Sequence, residues 1–201
     1  MKDESVQTPG AREKLDSYEA VMRGDKAAQF RAVVYAKLLR AMTDEFGEDV
    51  LDIAENVRRE HGRYNGEMSA DYAEAERKYR EDPAILIREM DEYWHGNPVI
   101  WSRTCICDFI PNPDERRHEL RSVKCTYGEA FRSVKEERIG ITWCCQDMGY
   151  TPTFHPLFAQ YMPMHLLKGD GCCYQIRKLA ETPEEQERLN SIEHTGWRSF
   201  R

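Results

Sequence analysis

The chain changes period after Gly96-Asn97-Pro98. Ahead of Gly96-Asn97-Pro98 its apolar residues recur every three or four positions, and behind it they alternate. A period near 3.6 buries one stripe of a helix, and a period of two buries one face of a strand. The two halves must therefore cover each other. The expectation is an α+β fold in which a helical N-terminal half, 11–95, packs on an antiparallel sheet of about four strands built from 96–201. Residues 1–10 read as a polar flexible tail and 11–201 as a single domain.

In the front half the periodicity predicts a helix from Ala11, an interruption at Gly24-Asp25, and a long helix over 26–46. Phe30, Val33, Val34, Ala36, Leu38, Leu39 and Met42 give that helix a broad apolar face. A further helix spans 48–62, Asn65-Gly66 signals a turn, 68–80 reads as an exposed helix or lid, and Asp82-Pro83 opens a helix to Trp94. His61 and His95 lie near helix ends and read as surface histidines.

In the back half, 99–108 predicts one strand and Leu120–Cys125 a second. Short helices follow over 127–134 and 139–148. Gln160–Leu167 is a third strand, which Pro163 moves toward a sheet edge. Gly169-Asp170-Gly171 turns it back into a fourth strand from Cys172, and 180–189 is a helix capped at Thr182-Pro183. Trp197 and Phe200 are placed to tuck against the core.

Composition removes several functions. The net charge is −7, and residues 1–100 hold 15 Lys/Arg against 22 Asp/Glu. An acidic chain with no basic run is a poor partner for nucleic acid, whose binding rests on phosphate neutralisation. No apolar run approaches a membrane span. The polar start carries no signal-peptide pattern, and seven cysteines with two vicinal pairs read as reduced thiols, so a cytoplasmic location is expected. There is no Gly-rich phosphate loop, and no cofactor is expected. No heptad or apolar edge selects an oligomeric symmetry, although a homo-oligomer stays open.

Reactive side chains concentrate between Ser122 and Lys178: Cys125, Cys144-Cys145, Asp147, His155, His165 and Cys172-Cys173. Cys144 and Asp147 share a helix face at a spacing of three. Alternation pairs Cys172 with Tyr174 and Ile176 on the face expected to look inward, with Cys173 on the other. A thiolate nucleophile with a neighbouring proton carrier suits a thiol-dependent hydrolase, Asp147 or His155 moving the proton. The other readings are buried inert thiols, or a Cys/His/Asp metal site that lacks any Cys-x-x-Cys spacing.

The succession Cys125…Glu129-x-Phe131-Arg132, Cys144-Cys145-Gln146-Asp147, Phe154-x-Pro156 and Gly169-Asp170-x-Cys172-x-Tyr174 resembles the L-2-amino-thiazoline-4-carboxylic acid hydrolase family. The resemblance implies ring opening at a carbon–nitrogen bond of a small cyclic amide or amidine, without metal. It implies Cys172 as nucleophile, with Cys125 and Cys173 as alternatives, and Asp147 and His155 as proton carriers. Cys144, Tyr174 and Arg132 would line the substrate site, with Arg103 or Arg177 as other cations for a substrate carboxylate. The alternative is a non-enzymatic small-molecule or metal-binding sensor that uses the cysteine cluster.

Overall fold

The computed structural model describes residues 11–68, 72–89, 100–101, 105–110, 116–190 and 196–199. The expected 1–10 tail, His95, Arg103 and Phe200 lie outside them, as does the helix toward Trp94 beyond residue 89.

Helices α1 (Ala11–Phe46), α2 (Asp49–Glu67) and α3 (Tyr72–Glu81) come first, followed by α4 over residues 84–89. Strands β1 (Ile100–Trp101), β2 (Cys105–Ile110) and β3 (Arg117–Cys125) lead into α5 (Thr126–Ser133) and α6 (Glu137–Tyr150). Strands β4 (Phe158–Met164) and β5 (Cys173–Leu179) and helix α7 (Pro183–Asn190) complete the order. The sheet is antiparallel with strand order β1-β2-β3-β5-β4. The α+β expectation holds. The sheet has five strands because the stretch read as one strand pairs with itself: Ile100 opposes Ile106 and Trp101 opposes Cys105. Strand β4 is an edge strand, as Pro163 required, and its register slips between Tyr161 and Met164.

Two expected breaks are absent. Gly24-Asp25 lies within α1, and Asn65-Gly66 lies within α2. The glycines of α2 serve close packing. A Cβ on Gly62 would stand 1.9 Å from the Gln146 carbonyl oxygen, and one on Gly66 would stand 2.2 Å from Thr153 Oγ1. From the other side, a Cβ on Gly149 would stand 1.9 Å from the Arg59 carbonyl oxygen. Helices α2 and α6 thus cross backbone to backbone. Arg58 of α2 lies over the Trp143 ring at 4.1 Å, and its Nε donates to the Trp143 carbonyl at 3.3 Å.

The main core lies between α1, α2, α5 and α6. Ala32, Ala36, Leu39, Leu51, Phe131, Ile141 and Trp197 meet there. Trp197 Nε1 donates to Asp52 Oδ1 at 2.9 Å, which ties the C-terminal segment to α2. Across the sheet, α7 sets Leu189 against Ala159 and Ala180. Among the described residues no helix is long and apolar enough to cross a membrane.

Gly62→Ala or Gly149→Ala should lower stability by about 1–3 kcal/mol through overpacking, even though alanine gains roughly 1 kcal/mol of helix propensity over glycine. Gly171→Ala is the control, because nothing lies within 4 Å of a Cβ built there. Urea unfolding midpoints of the three variants decide the point. A Gly62 or Gly149 variant as stable as the parent would remove the close crossing.

Candidate functional site

One face of the sheet meets α6, and the register identifies its residues. His118 opposes Arg177, Leu120 opposes Gln175, and Ser122 opposes Cys173. Gln160 opposes Arg177 from β4. On the other side Cys107 opposes Ser122, with their side chains 3.0 Å apart. Simple alternation from Ser122 would turn Cys125 to the opposite face. It does not, because the β2–β3 register shifts: Ile106 faces Lys124 and Cys107 faces Ser122, leaving Val123 as an extra residue. This bulge returns Cys125 to the covered face, opposite Cys105.

Helix α6 lies over that face. Met148 packs with Met162, Leu166 and Cys173, and Cys125 and Cys144 join them. Asp147 follows Cys144 by three residues on the same side of α6. Cys125, Cys144 and Asp147 lie deep in the fold, yet each keeps accessible surface. Groups that are deep and still accessible face a recess rather than the outer surface. The recess between α6 and the sheet is the candidate site.

Its electrostatics follow from burial. Burial pushes the Asp147 carboxyl up, and the Arg177 and Arg58 charges pull it back. Burial pushes Arg177 down, and Asp147 is the first charge to oppose that. Each group is thus the other's principal compensation. Arg177 Nε donates to Gln160 Oε1 at 3.1 Å, and Thr151 Oγ1 donates to the same oxygen at 2.5 Å. Gln160 Nε2 is buried without a hydrogen-bond partner among the described residues. His118 beside Arg177 is driven down to about 3 by burial first and then by the Arg177 charge. It is neutral in this site at physiological pH.

The thiols divide into two kinds. Burial raises Cys144 well above a free thiol and pushes Cys145 and Cys173 up to about 12, so all three are protonated at neutral pH. Cys125 is shifted the other way. A hydrogen bond from Cys105 lowers it, and the Gly128 and Tyr127 backbone amides lower it further, against the effect of burial. Cys125 is the N-cap of α5, and its Sγ accepts from Gly128 N at 3.5 Å. A thiolate there meets the positive end of the helix.

The residues singled out in the sequence scatter. Cys125, Cys144 and Asp147 come together at the recess. Arg177, one of the candidate cations, joins them. Cys172 precedes β5, and alternation places it with Tyr174, away from Asp147; it is Cys173, with Gln175 and Arg177, that faces α6. The face expected to look inward is therefore the one turned away from α6, where Cys172 and Ile176 are buried as well. Tyr174 Oη donates to Glu119 there, and Glu119 also pairs with Arg117 Nε at 2.6 Å. Arg132 is committed to the Leu166 carbonyl. His155 lies apart from Asp147: its Nδ1 accepts from Leu157 N at 3.1 Å, and burial followed by the Arg116 and Arg80 charges lowers it. His165 Nδ1 accepts from Leu167 N at 3.1 Å and caps the turn Leu166–Lys168. His61 Nδ1 contacts Arg58 Nη1 at 3.2 Å.

His118, Gln160 and Arg58 were not foreseen. A signal existed for two of them. His118-x-Leu120-x-Ser122 alternates with the strand, and Gln160 is a polar residue between Ala159 and Tyr161 in an otherwise apolar run. Among the described residues no group of three His, Cys, Asp or Glu side chains could hold a metal ion.

No family profile and no curated protein matches the chain. Among solved structures, the chain is similar to the phenol-responsive sensory domain of the transcription activator PoxR with phenol, at 13% identity and a TM-score of 0.45, over 79% of this chain and 81% of that one. That protein is a sensory domain, not a hydrolase. The ring-opening hydrolase expectation, with Cys172 as its nucleophile, is corrected. The physical reason lies in the sheet: Cys172 is on the face away from Asp147, and His155 Nδ1 is engaged by Leu157 N.

Two outcomes test this site. Iodoacetamide should modify Cys125 before Cys144, Cys145 and Cys173, with a titration midpoint below theirs, as read by peptide mass mapping across pH. Labelling of Cys144 ahead of Cys125 would reverse the assignment. Separately, His118 and His165 have folded pKa values near 3 and 4, below the unfolded value of 6.5. The unfolded chain then binds more protons between these limits, so stability is full above pH 6.5 and falls as pH drops toward 4. The slope is up to about 1.4 kcal/mol per pH unit for each group. His165→Asn, which keeps a capping acceptor, should flatten the fall in urea midpoint between pH 6.5 and 4.5.

Proposed function

We propose that the chain is a small-molecule-binding module of the sensory kind, with the recess between α6 and the sheet as its binding site. One observation carries the reading. The carboxyl of Asp147 and the guanidinium of Arg177 are both held deep in the fold beside accessible surface. Buried charge is expensive to keep for stability alone, and a cluster of matched hydrophobes would serve a core better. A ligand that donates to Asp147 and accepts from Gln160 Nε2 would satisfy what the fold leaves partly compensated.

The walls narrow the ligand class. Met148, Met162, Leu166 and the protonated thiols of Cys144 and Cys173 supply a soft, polarizable lining suited to a flat apolar body. The ligand is therefore a compact, largely apolar ring that bears a hydrogen-bond donor and an acceptor. Cysteines serve as wall in this reading. The metal form of the sensor alternative is not taken up, because the described residues lack a set of ligands for it.

The test uses three probes of similar size. 4-Aminobenzoate offers a ring, a donor and an anionic acceptor; toluene offers the ring alone; glycine offers polar groups without a ring. 4-Aminobenzoate should raise the thermal midpoint in a saturable way, as a ligand that binds only the folded chain must. Toluene and glycine should raise it less. Asp147→Asn and Arg177→Met should each weaken the 4-aminobenzoate response at least tenfold in concentration. An unchanged response in both variants, or no response to any probe, would overturn the assignment of the recess as the site.

A further inference from the structure

Helix α1 turns its small residues to the core and large ones to water. Ala28, Ala32, Ala36 and Leu39 are buried, whereas Phe30, Val34, Leu38, Met42 and Phe46 are exposed, Phe30 by 68%, Leu38 by 58% and Phe46 by 71%. The sequence alone does not separate these sets, because apolar residues surround this helix on several sides. A solvated helix presents polar groups outward, and a contiguous stripe of large apolar side chains marks a contact surface.

The stripe has a symmetry of its own. Val34 and Met42 stand about one helical turn on either side of Leu38 and about 40° from it around the axis, and Phe30 and Phe46 flank them at about 80°. On the same face, Arg31 and Glu45 lie at equal distances before and after Leu38, and both are exposed. The pattern reads alike in both directions, except that the charge reverses. An isologous two-fold contact needs this form of self-complementarity. Two antiparallel copies of α1 crossing at Leu38 would set Val34 against Met42 and Arg31 against Glu45, twice over, with Phe30 and Phe46 at the rims of the contact. A parallel pair would oppose Arg31 to Arg31 and Glu45 to Glu45, which repel.

We propose that a second copy of this chain docks on the exposed stripe of α1, antiparallel and centred on Leu38, to make a two-fold homodimer. The occupant is a second copy because the charge pattern complements itself, which a different partner would have no reason to require. This inference is independent of the ligand site, since no residue of the stripe lines the recess.

Sedimentation velocity of the full chain across a wide concentration range provides the test. A dimer is expected for the parent and a monomer for Leu38→Arg, with an unfolding midpoint at low concentration no lower than that of the parent. Arg31→Glu replaces two attractive pairs with two repulsive ones and should raise the dimer dissociation constant roughly tenfold. The double exchange Arg31→Glu with Glu45→Arg should restore it. A parent that stays monomeric at every concentration overturns the proposal. So does a dimer that Arg31→Glu leaves unchanged, which would put the contact elsewhere or make it parallel. A monomer that Leu38→Arg destabilises also overturns it, because the stripe would then be covered by the chain itself.

Discussion

The backbone-to-backbone crossing of α2 and α6 holds the structure in register. Gly62 and Gly149 leave no room for a side chain between the helices, so α6 cannot ride higher or slide along α2 without opening the contact. Arg58 strengthens the same seam by stacking on Trp143 and donating to its carbonyl. Once one side of α6 is fixed on α2, the other side has a single direction to face. It brings Cys144, Asp147 and Met148 down on the sheet. The placement of a buried carboxylate thus depends on two glycines that take no part in its chemistry.

The sheet contributes the matching half through an irregularity. Without the extra residue at Val123, Cys125 would point away from α6 and could not hydrogen-bond to Cys105. With it, one strand end carries an acidified thiol at a helix start while the strand body carries His118 opposite Arg177. A regular strand would deliver one or the other. Bulges of this kind aim side chains at the edges of sheets, and here the bulge separates a reactive thiol from the protonated ones around it.

Charge placement inside and apolar placement outside point the same way. The core accepts Asp147, Arg177 and His118, groups that a purely structural interior would exclude, while α1 leaves five large hydrophobic side chains in water. Both departures run against the burial rules for an isolated domain. A bound ring compound in the first case and a second chain in the second would bring each back into line with them.

The sequence by itself determined the class and most of the elements. The change of period at Gly96-Asn97-Pro98 marked where the strands begin, Pro163 placed β4 at an edge, and the Cys144–Asp147 spacing placed those two side chains on one helix face. These are local matters, decided by periodicity and backbone sterics. The tertiary structure decided which face looks inward. A register shift of one residue exchanges the faces of a strand, so alternation alone could not choose Cys173 over Cys172 or bring Cys125 back to the covered side. It could not show that Gly62 and Gly66 serve contact rather than a break, because the residues they meet lie more than 80 positions away. Nor could it divide α1 into a buried alanine stripe and an exposed aromatic one, since hydrophobicity states what may be buried and packing alone selects what is.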